Sequence, residues 1–316
     1  MVHAEQPAKP EQPEQSEHPA PPRLRRVTVL TNPTAGKGRG AATAAVVAGR
    51  LRAAGVAVTE VVGRDAVEAA ELTRAAVAGG ADGAADALVA VGGDGLVHLA
   101  VQVVAGSGVP LGIVPCGTGN DVARNFDLPR GDTVAAVERI LRGRVRRIDL
   151  ARCGDRRFVT VLAAGFDAIV NERANAMTWP RGQMRYNLAT VAELRTFRPI
   201  PYTLELDGRS RTLDAMLVAV GNGPSFGGGL RITEGAVLDD GLLDVVIIKP
   251  MSKVGLVRTY PKLFRGTHVT HPQYEHHRVR TVTVAAPGIV TYADGERFGA
   301  LPLTVECEPG ALRVLA

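Results

Sequence analysis

From Val27 onward, short runs rich in β-branched residues alternate with Ala-rich stretches, and each change is marked by glycine or proline. The runs Val27 to Thr31, Val56 to Val62, Ala87 to Val91 and Leu111 to Val114 predict strands, with helices beginning near Gly40, Ala66 and Gly95. Strands separated by crossover helices predict a parallel sheet, with ligand loops at the carboxyl ends of its strands. A further helix over Thr133 to Leu141 ends at Gly143 in a basic stretch that includes Arg144, Arg146 and Arg147. After about Ile148 the apolar positions fall into period two. The segments RRFVTVLAAGF, PYTLELDGRSRTL, DAMLVAVGNG, GLLDVVIIKP, RVRTVTVAAPG and LTVECEPGALRVLA predict a mostly antiparallel second region, with Asp207-Gly208 as a hairpin turn. One helical stretch interrupts it, roughly Arg185 to Thr196, and this and the Met251 to Phe264 stretch are expected to pack on that sheet or at the domain boundary.

Composition narrows the class. With 46% hydrophobic and 22% charged residues in 316, the chain is neither disordered nor a coiled coil, and no apolar run reaches the eighteen or so residues of a membrane span. A net charge of +5 is small for a nucleic-acid binder but suits anionic ligands or an anionic membrane surface, so nucleic acid is not expected as a partner. The three cysteines, Cys116, Cys153 and Cys307, have no disulfide or zinc spacing, which fits a reducing, cytoplasmic compartment. The Pro-, Glu- and Gln-rich first 23 residues lack the apolar core of a secretory signal and read as a disordered tail.

Three Gly-rich loops fall where strands of the first region end. They are Asn32-Pro-Thr-Ala-Gly36-Lys37-Gly, Gly92-Gly93-Asp94-Gly95 and Gly117-Thr118-Gly119-Asn120-Asp121. Glycine lets backbone N–H groups approach a ligand closely, and a following helix adds unpaired donors and a positive dipole end, which together suit polyphosphate. Neither familiar nucleotide signature is satisfied. A P-loop needs Gly and Ser or Thr where Thr31 and Gly38 stand, and a dinucleotide fingerprint from Gly117 fails at Val122. Asp94 in one loop and Lys37 in another are the acid and the cation that Mg²⁺ and polyphosphate require.

Taken in order, NPTAGKG, GGDG, PCGTGND with VARNFDLP, GFDA at Gly165 to Ala168, GNGPSFGGGLRI, VLDDGLLDVV and the late Asp294-Gly-Glu296 resemble the diacylglycerol kinase catalytic-domain family. These bacterial lipid kinases are related to sphingosine and ceramide kinases. One position departs: where the family commonly reads Thr-x-Asn-Glu after GGDG, this chain has Leu96, Val97, His98 and Leu99. The resemblance implies an N-terminal α/β ATP-binding domain over residues 24–148 and a β-rich, sandwich-like lipid-substrate domain over 149–316. The active site would lie in the cleft between them, and the last strand would return to the first domain. It places Asn32, Gly36, Lys37, Gly92 to Gly95, Gly117, Thr118, Asn120 and Asp121 near ATP. Asp94 becomes the acid at the Mg²⁺ or phosphate site. A lipid hydroxyl needs a carboxylate to take its proton, and the family's acids there are Asp294 and Glu296. On a strand, residues two apart project to one side, so both carboxylates are expected to face the cleft; as a hairpin turn, the same Asp-Gly reads as a solvated turn. The resemblance also implies a structural Mg²⁺ held by Asp240 with the carbonyls of Val237 and Leu242, oxygen ligands suited to a hard cation.

The expected activity is therefore phosphorylation of a lipid hydroxyl, first of all that of diacylglycerol to give phosphatidic acid in phospholipid biosynthesis. ATP and Mg²⁺ would be the cofactors, and the protein would sit peripherally on the inner face of the membrane, on anionic phospholipid. The sequence does not choose between a monomer and a homodimer. The alternatives are an NAD kinase-like enzyme, a non-catalytic lipid- or nucleotide-binding protein, and a serine esterase built on Gly223-Pro-Ser225-Phe-Gly227 with His268. The esterase needs a helix directly after its serine, and Gly227 to Gly229 make a poor helix start. His268, His271, His276 and His277 read as a polar loop, since zinc needs tighter spacing. The arginines between 139 and 157 read either as a solvated face or as a basic patch docking on anionic lipid.

Overall fold

The computed structural model describes residues 23–79, 83–179, 188, 192 and 198–316, and describes Lys37 through its backbone alone. The N-terminal tail and most of the expected helix from Arg185 to Thr196 lie outside the described residues.

The β-branched runs form β1 (Arg26–Thr31), β2 (Ala57–Val61), β3 (Ala87–Gly92) and β4 (Leu111–Pro115), which pair in parallel in the order β2-β1-β3-β4. Between them run α1 (Ala35–Gly38), α2 (Gly40–Ala53), α3 (Ala66–Ala78) and α4 (Asp94–Val104), followed by α5 (Asp121–Asn125) and α6 (Thr133–Leu141). The strands are apolar on both faces because both are covered. Val47 and Leu51 of α2 and Val137 and Ile140 of α6 cover Val27, Val29 and Val89 on one face. On the other face, Val97, Val101 and Val104 of α4, with Ala69 and Val77 of α3, cover Leu30, Leu88 and Ala90. Two of the helices begin at an acid: Asp65 accepts the Glu68 N–H at 2.9 Å and Asp132 the Ala135 N–H at 2.9 Å, caps worth about 1 kcal/mol each.

The second region begins with β5 (Val145–Cys153), β6 (Arg156–Phe158), β7 (Val161–Gly165) and α7 (Phe166–Ala176). It continues through β8 (Ile200–Leu206), β9 (Arg209–Ala215), β10 (Leu217–Gly221), β11 (Leu243–Ile248), a helix over Lys253–Leu263, β12 (Tyr274–Val279) and β13 (Thr281–Ala285). It closes with β14 (Val290–Ala293), β15 (Glu296–Ala300) and the long β16 (Leu303–Leu315). An antiparallel sheet in the order β12-β11-β10-β7-β14-β15 faces a second layer built on β8, β9 and β13. In β8, Tyr202, Leu204 and Leu206 are buried while the residues between them are exposed, and the inward set shares one core with Val218, Val220, Val245 and Ile247. Asp207 and Gly208 both have positive φ between paired Leu206 and Arg209, as a two-residue hairpin turn requires.

The two regions share a sheet. Residues 303–306 of β16 pair with β13, whereas residues 312–315 pair with β5 and set Val314 beside Leu111 of β4 in parallel. The parallel strands, β16 and the antiparallel β13, β8 and β9 thus form one sheet of ten strands, in which β5 and β6 branch from β16. The β7 sheet shares its core with β8, β9 and β13 at the antiparallel end.

Candidate active site

Glycine is required where the three loops meet. A Cβ on Gly36, whose φ is +60°, would lie 2.2 Å from the Cys116 carbonyl oxygen. One on Gly117 would lie 2.6 Å from Gly93 Cα. The loops after β1, β3 and β4 therefore touch backbone to backbone, which only glycine permits. Asn32 builds its own loop, accepting the Thr34 N–H at 3.0 Å and the Thr34 hydroxyl at 2.7 Å. Asn120, in the left-handed region, does the same: its amide accepts from Gly117 N–H at 3.0 Å and donates to Gly117 O at 2.9 Å.

The loops form one wall of a cleft of about 960 Å³; the turn before α3 and the first part of that helix line another side, and the second region contributes Arg156 and Glu296. Of the residues expected at the site, Asn32, Gly36, Gly93, Asp94, Gly95, Gly117, Thr118 and Glu296 line it. Gly92, Asn120, Asp121 and Asp294 do not. Asp121 is instead a tie between the regions, its carboxylate accepting the Gly228 N–H at 2.8 Å.

Asp94 opens α4 and faces the cleft. Its Oδ1 accepts the Val122 N–H at 3.2 Å, and a Cβ on Gly119 would lie 2.7 Å from its Oδ2. Burial, the neighbouring Asp121 carboxylate and, more weakly, Asp294 push its pKa up to about 6. A buried carboxylate raised in this way is relieved by positive charge, so the Asp94 carboxylate by itself fits a cation.

The two late acids have different roles from the one the strand reading gives them. Asp294 and Gly295 are the central residues of the hairpin joining β14 to β15, with φ of +52° and +83° between paired Ala293 and Glu296. Asp294 and Gly295 are turn residues, whereas Glu296 opens β15; the first carboxylate reaches His98 and the second Gly95, both on α4. The turn is not solvated. Asp294 is 3% exposed and accepts from Val159 N–H (3.0 Å), Thr160 N–H (2.9 Å), the Thr160 hydroxyl (2.7 Å) and His98 Nδ1 (3.2 Å). Burial alone would raise its pKa, but the bonds from His98, Thr160 and Val159 outweigh it and hold the carboxyl below its ordinary value. Glu296 is exposed in the cleft, and a Cβ on Gly95 would lie 2.7 Å from its Oε1.

His98 joins the site, and the sequence signals it only by spacing: it lies four residues after Asp94 on α4 and so on the same face. It is 8% exposed, lines the cleft and stands edge-on to Phe298. Other residues beyond the reach of sequence reasoning build the seam. Asn125 donates to Ser225 O at 2.9 Å and accepts the Ser225 N–H at 3.2 Å. Asn222 donates to the carbonyls of Asp149 and Val159, both at 3.0 Å. The buried Asp149 accepts from Gly241 N–H at 2.6 Å and Gly310 N–H at 2.7 Å.

The Asp240 turn is arranged differently from a cation loop. Arg278 pairs with the Asp240 carboxylate, which also accepts the Leu242 N–H at 3.1 Å. Among the described residues no three of His, Cys, Asp and Glu cluster as a metal site. Here the Arg278 guanidinium supplies the positive charge that the Asp240 carboxylate meets.

The other motifs resolve into ordinary structure. The Ser225 hydroxyl faces the Asn125 amide at 3.5 Å, its strand leads into a Gly-rich bridge loop rather than a helix, and His268 Nε2 donates to the Ile232 carbonyl at 3.1 Å. His276 and His277 pair with Asp244 and Glu275, both at 2.6 Å. Of the arginines of 139 to 157, Arg146 pairs with Asp239, Arg152 with Glu306 and Glu308, and Arg157 with Glu308, while Arg142, Arg144 and Arg147 stay exposed.

A parallel α/β unit that gathers three Gly-rich loops and an acid against a β-sandwich defines a phosphoryl-transfer cleft between two domains. Residues 26–153 match the diacylglycerol kinase catalytic domain, and residues 160–316 match the YegS C-terminal NAD kinase beta sandwich-like domain. The chain is 45% identical over 298 residues to a diacylglycerol kinase of Mycobacterium tuberculosis H37Rv, covering 92% of this chain and 95% of that one. It is 28% identical over 221 residues to a diacylglycerol kinase of Bacillus subtilis, covering 69% and 73%. A diacylglycerol kinase crystal structure from Bacillus anthracis shares the fold, with a TM-score of 0.73 at 22% identity over 92% of this chain and 96% of that one. The chain belongs to the diacylglycerol kinase catalytic-domain family, and its activity is that of an ATP-dependent lipid kinase of the diacylglycerol kinase type.

Proposed function

We propose that the protein transfers the γ-phosphate of ATP to the hydroxyl of diacylglycerol, giving phosphatidic acid and ADP. The observation that carries this reading is that Asp94, from the first region, and Glu296, from the second, line one cleft with the backbone of three glycine loops. In it, the N–H groups of the loops at Gly36, Gly93 to Gly95 and Gly117 to Thr118 hold the phosphates, with Asn32 shaping the first loop. Mg²⁺, when bound with the nucleotide, neutralises phosphate charge. Asp94 is the carboxylate that would hold it.

Glu296 takes the proton of the lipid hydroxyl as its oxygen attacks the γ-phosphorus and the bond to the β-phosphate oxygen breaks. Asp294 works through its partners. It orients His98 toward the cleft and pins the Val159–Thr160 edge, so it is a positioning residue, its carboxyl held below its ordinary pKa by these bonds. No step is assigned to Asp240, Val237 or Leu242.

The deciding experiment is transfer of labelled γ-phosphate in mixed micelles offering diacylglycerol, sphingosine, ceramide and NAD as acceptors. Transfer to diacylglycerol, abolished by Glu296→Gln in a protein of unchanged melting temperature, is expected. Preference for any other acceptor refutes the substrate assignment, and full activity of Glu296→Gln refutes the base.

A further inference from the structure

We propose that the helix Lys253–Leu263 is a membrane-docking element that lies flat on an anionic bilayer, its apolar stripe among the head groups and its cations against lipid phosphates. The choice of a lipid surface over other partners rests on the lipid-kinase reading; the surface itself is independent of it.

At about 100° per residue this helix has three faces. Leu256, Thr259 and Leu263 point inward: Thr259 is buried, and the two leucines pack against the sandwich core. Val254, Val257, Tyr260, Pro261 and Phe264 fall within an arc of about 120° on the outside. Val254, Val257, Tyr260 and Phe264 keep 59%, 54%, 45% and 48% of their surface in solvent. The rings of Tyr260 and Phe264 meet edge to face at 5.8 Å, which holds both on that side. Arg258, Lys262 and Arg265 line the third face, between the stripe and the core.

Charge selects the partner. No Asp or Glu occurs between Asp244 and Glu275. Among the described residues, Arg258, Lys262 and Arg265 make no ion pair, unlike Arg146, Arg152 and Arg157, whose charges are met by acids. Arg142, Arg144 and Arg147 of the 139 to 157 stretch are exposed and meet no acid among the described residues either, but Val145 is the one exposed large apolar residue beside them, whereas the cations of this helix flank four. Exposed apolar side chains flanked by unpaired cations on a fixed helix are the design of an interfacial anchor.

The helix is also tied to the cleft. The Leu263 carbonyl accepts the Arg231 N–H at 2.9 Å, and three residues back along the same loop Gly228 donates to Asp121 at 2.8 Å, at the head of α5. Docking this face fixes the glycine loop between the bilayer and the domain seam, next to the residues that order the cleft.

The test uses the full chain and two double variants outside the site, Val257→Ser/Phe264→Ser and Arg258→Glu/Lys262→Glu. Each is assayed for co-sedimentation with vesicles of phosphatidylglycerol and phosphatidylcholine, and for phosphorylation of a short-chain, water-soluble diacylglycerol. Vesicle affinity is expected to fall about tenfold or more in the apolar variant. In the charge variant it should fall roughly fivefold or more per reversed residue, and affinity of the parent should fall as salt rises. Activity on the soluble substrate should stay at the parental level in both. Parental vesicle binding by both variants overturns the proposal. So does a parent that sediments as a dimer and is made monomeric by Val257→Ser/Phe264→Ser, because the stripe is then a contact between copies. A parent whose vesicle binding is lost in the variants, but which phosphorylates no lipid, upholds the docking surface and refutes the lipid-kinase reading alone.

Discussion

Replacing Asp94 by Asn should stabilise the nucleotide-free protein while abolishing its activity. The folded pKa of Asp94, about 6, lies roughly 2 units above the ordinary carboxylate value, and each unit is worth about 1.4 kcal/mol. The fold therefore favours the protonated acid. Below about pH 4 both folded and unfolded chains hold the proton and Asp94 makes no pH-dependent difference. Between about pH 4 and 6 the unfolded chain ionises first, so stability falls as pH rises. Above about pH 6 the full penalty, roughly 3 kcal/mol, is in place. Asn keeps the acceptor for the Val122 N–H and carries no charge, so it escapes the penalty. Urea unfolding without nucleotide or divalent cation should show Asp94→Asn more stable than the parent by about 3 kcal/mol at pH 8, with an advantage roughly half as large at pH 5. Phosphate transfer by the variant should drop at least about hundredfold. A stability difference independent of pH, or a variant less stable at pH 8, would refute the account of Asp94 as a strained anion prepared for a cation.

Asp294→Asn, by contrast, should cost about 3–5 kcal/mol in urea unfolding, because an amide cannot accept all the donors that converge on the buried carboxylate. The lowered pKa places its contribution above about pH 4, to be lost only on further acidification; unfolding within 1 kcal/mol of the parent would contradict this. Gly95→Ala puts a methyl group against Glu296 Oε1, the movable end of a side chain, so the melting temperature should hold while kcat falls about tenfold or more; unchanged kcat would mean that Glu296 does not act from where it stands. Adding EDTA to the nucleotide-free protein should shift the melting temperature by less than about 1 °C, since Arg278 and not a cation neutralises Asp240; a large drop would reverse that assignment.

The glycine loops were legible in sequence for a physical reason. Gly36 against Cys116 and Gly93 against Gly117 need a missing side chain, and that need is written in the residue itself. The parallel strands and the β8–β9 hairpin were legible for a similar reason, since periodicity and turn chemistry are local. Asp294 was misread because Asp-Gly fits both a strand pair and a hairpin, and neither local reading places a turn inside a domain seam. Asn125, Asp149 and Asn222 carry the seam through bonds to backbone groups far away in sequence, which no spacing records. The basic residues were countable, but whether each had an acidic neighbour depended on the fold: β5 meets Glu306 and Glu308 only because β16 lies beside it.

The pairing of β16 has a consequence for how the protein is made. A nucleotide-binding half that precedes its partner in sequence could in general fold as it leaves the ribosome. Here the edge of its sheet at Leu111 is closed by Val314, so the strand that completes the first domain is synthesised after β5 to β15. Until then β4 presents an open edge, the kind of edge that pairs with other chains. The high sequence separation of this contact also predicts slow folding, with a late step that joins both domains at once. The arrangement makes the kinase all or none: a chain cut short before β16 would lack both the lipid domain's strand beside β13 and the closing strand of the ATP domain.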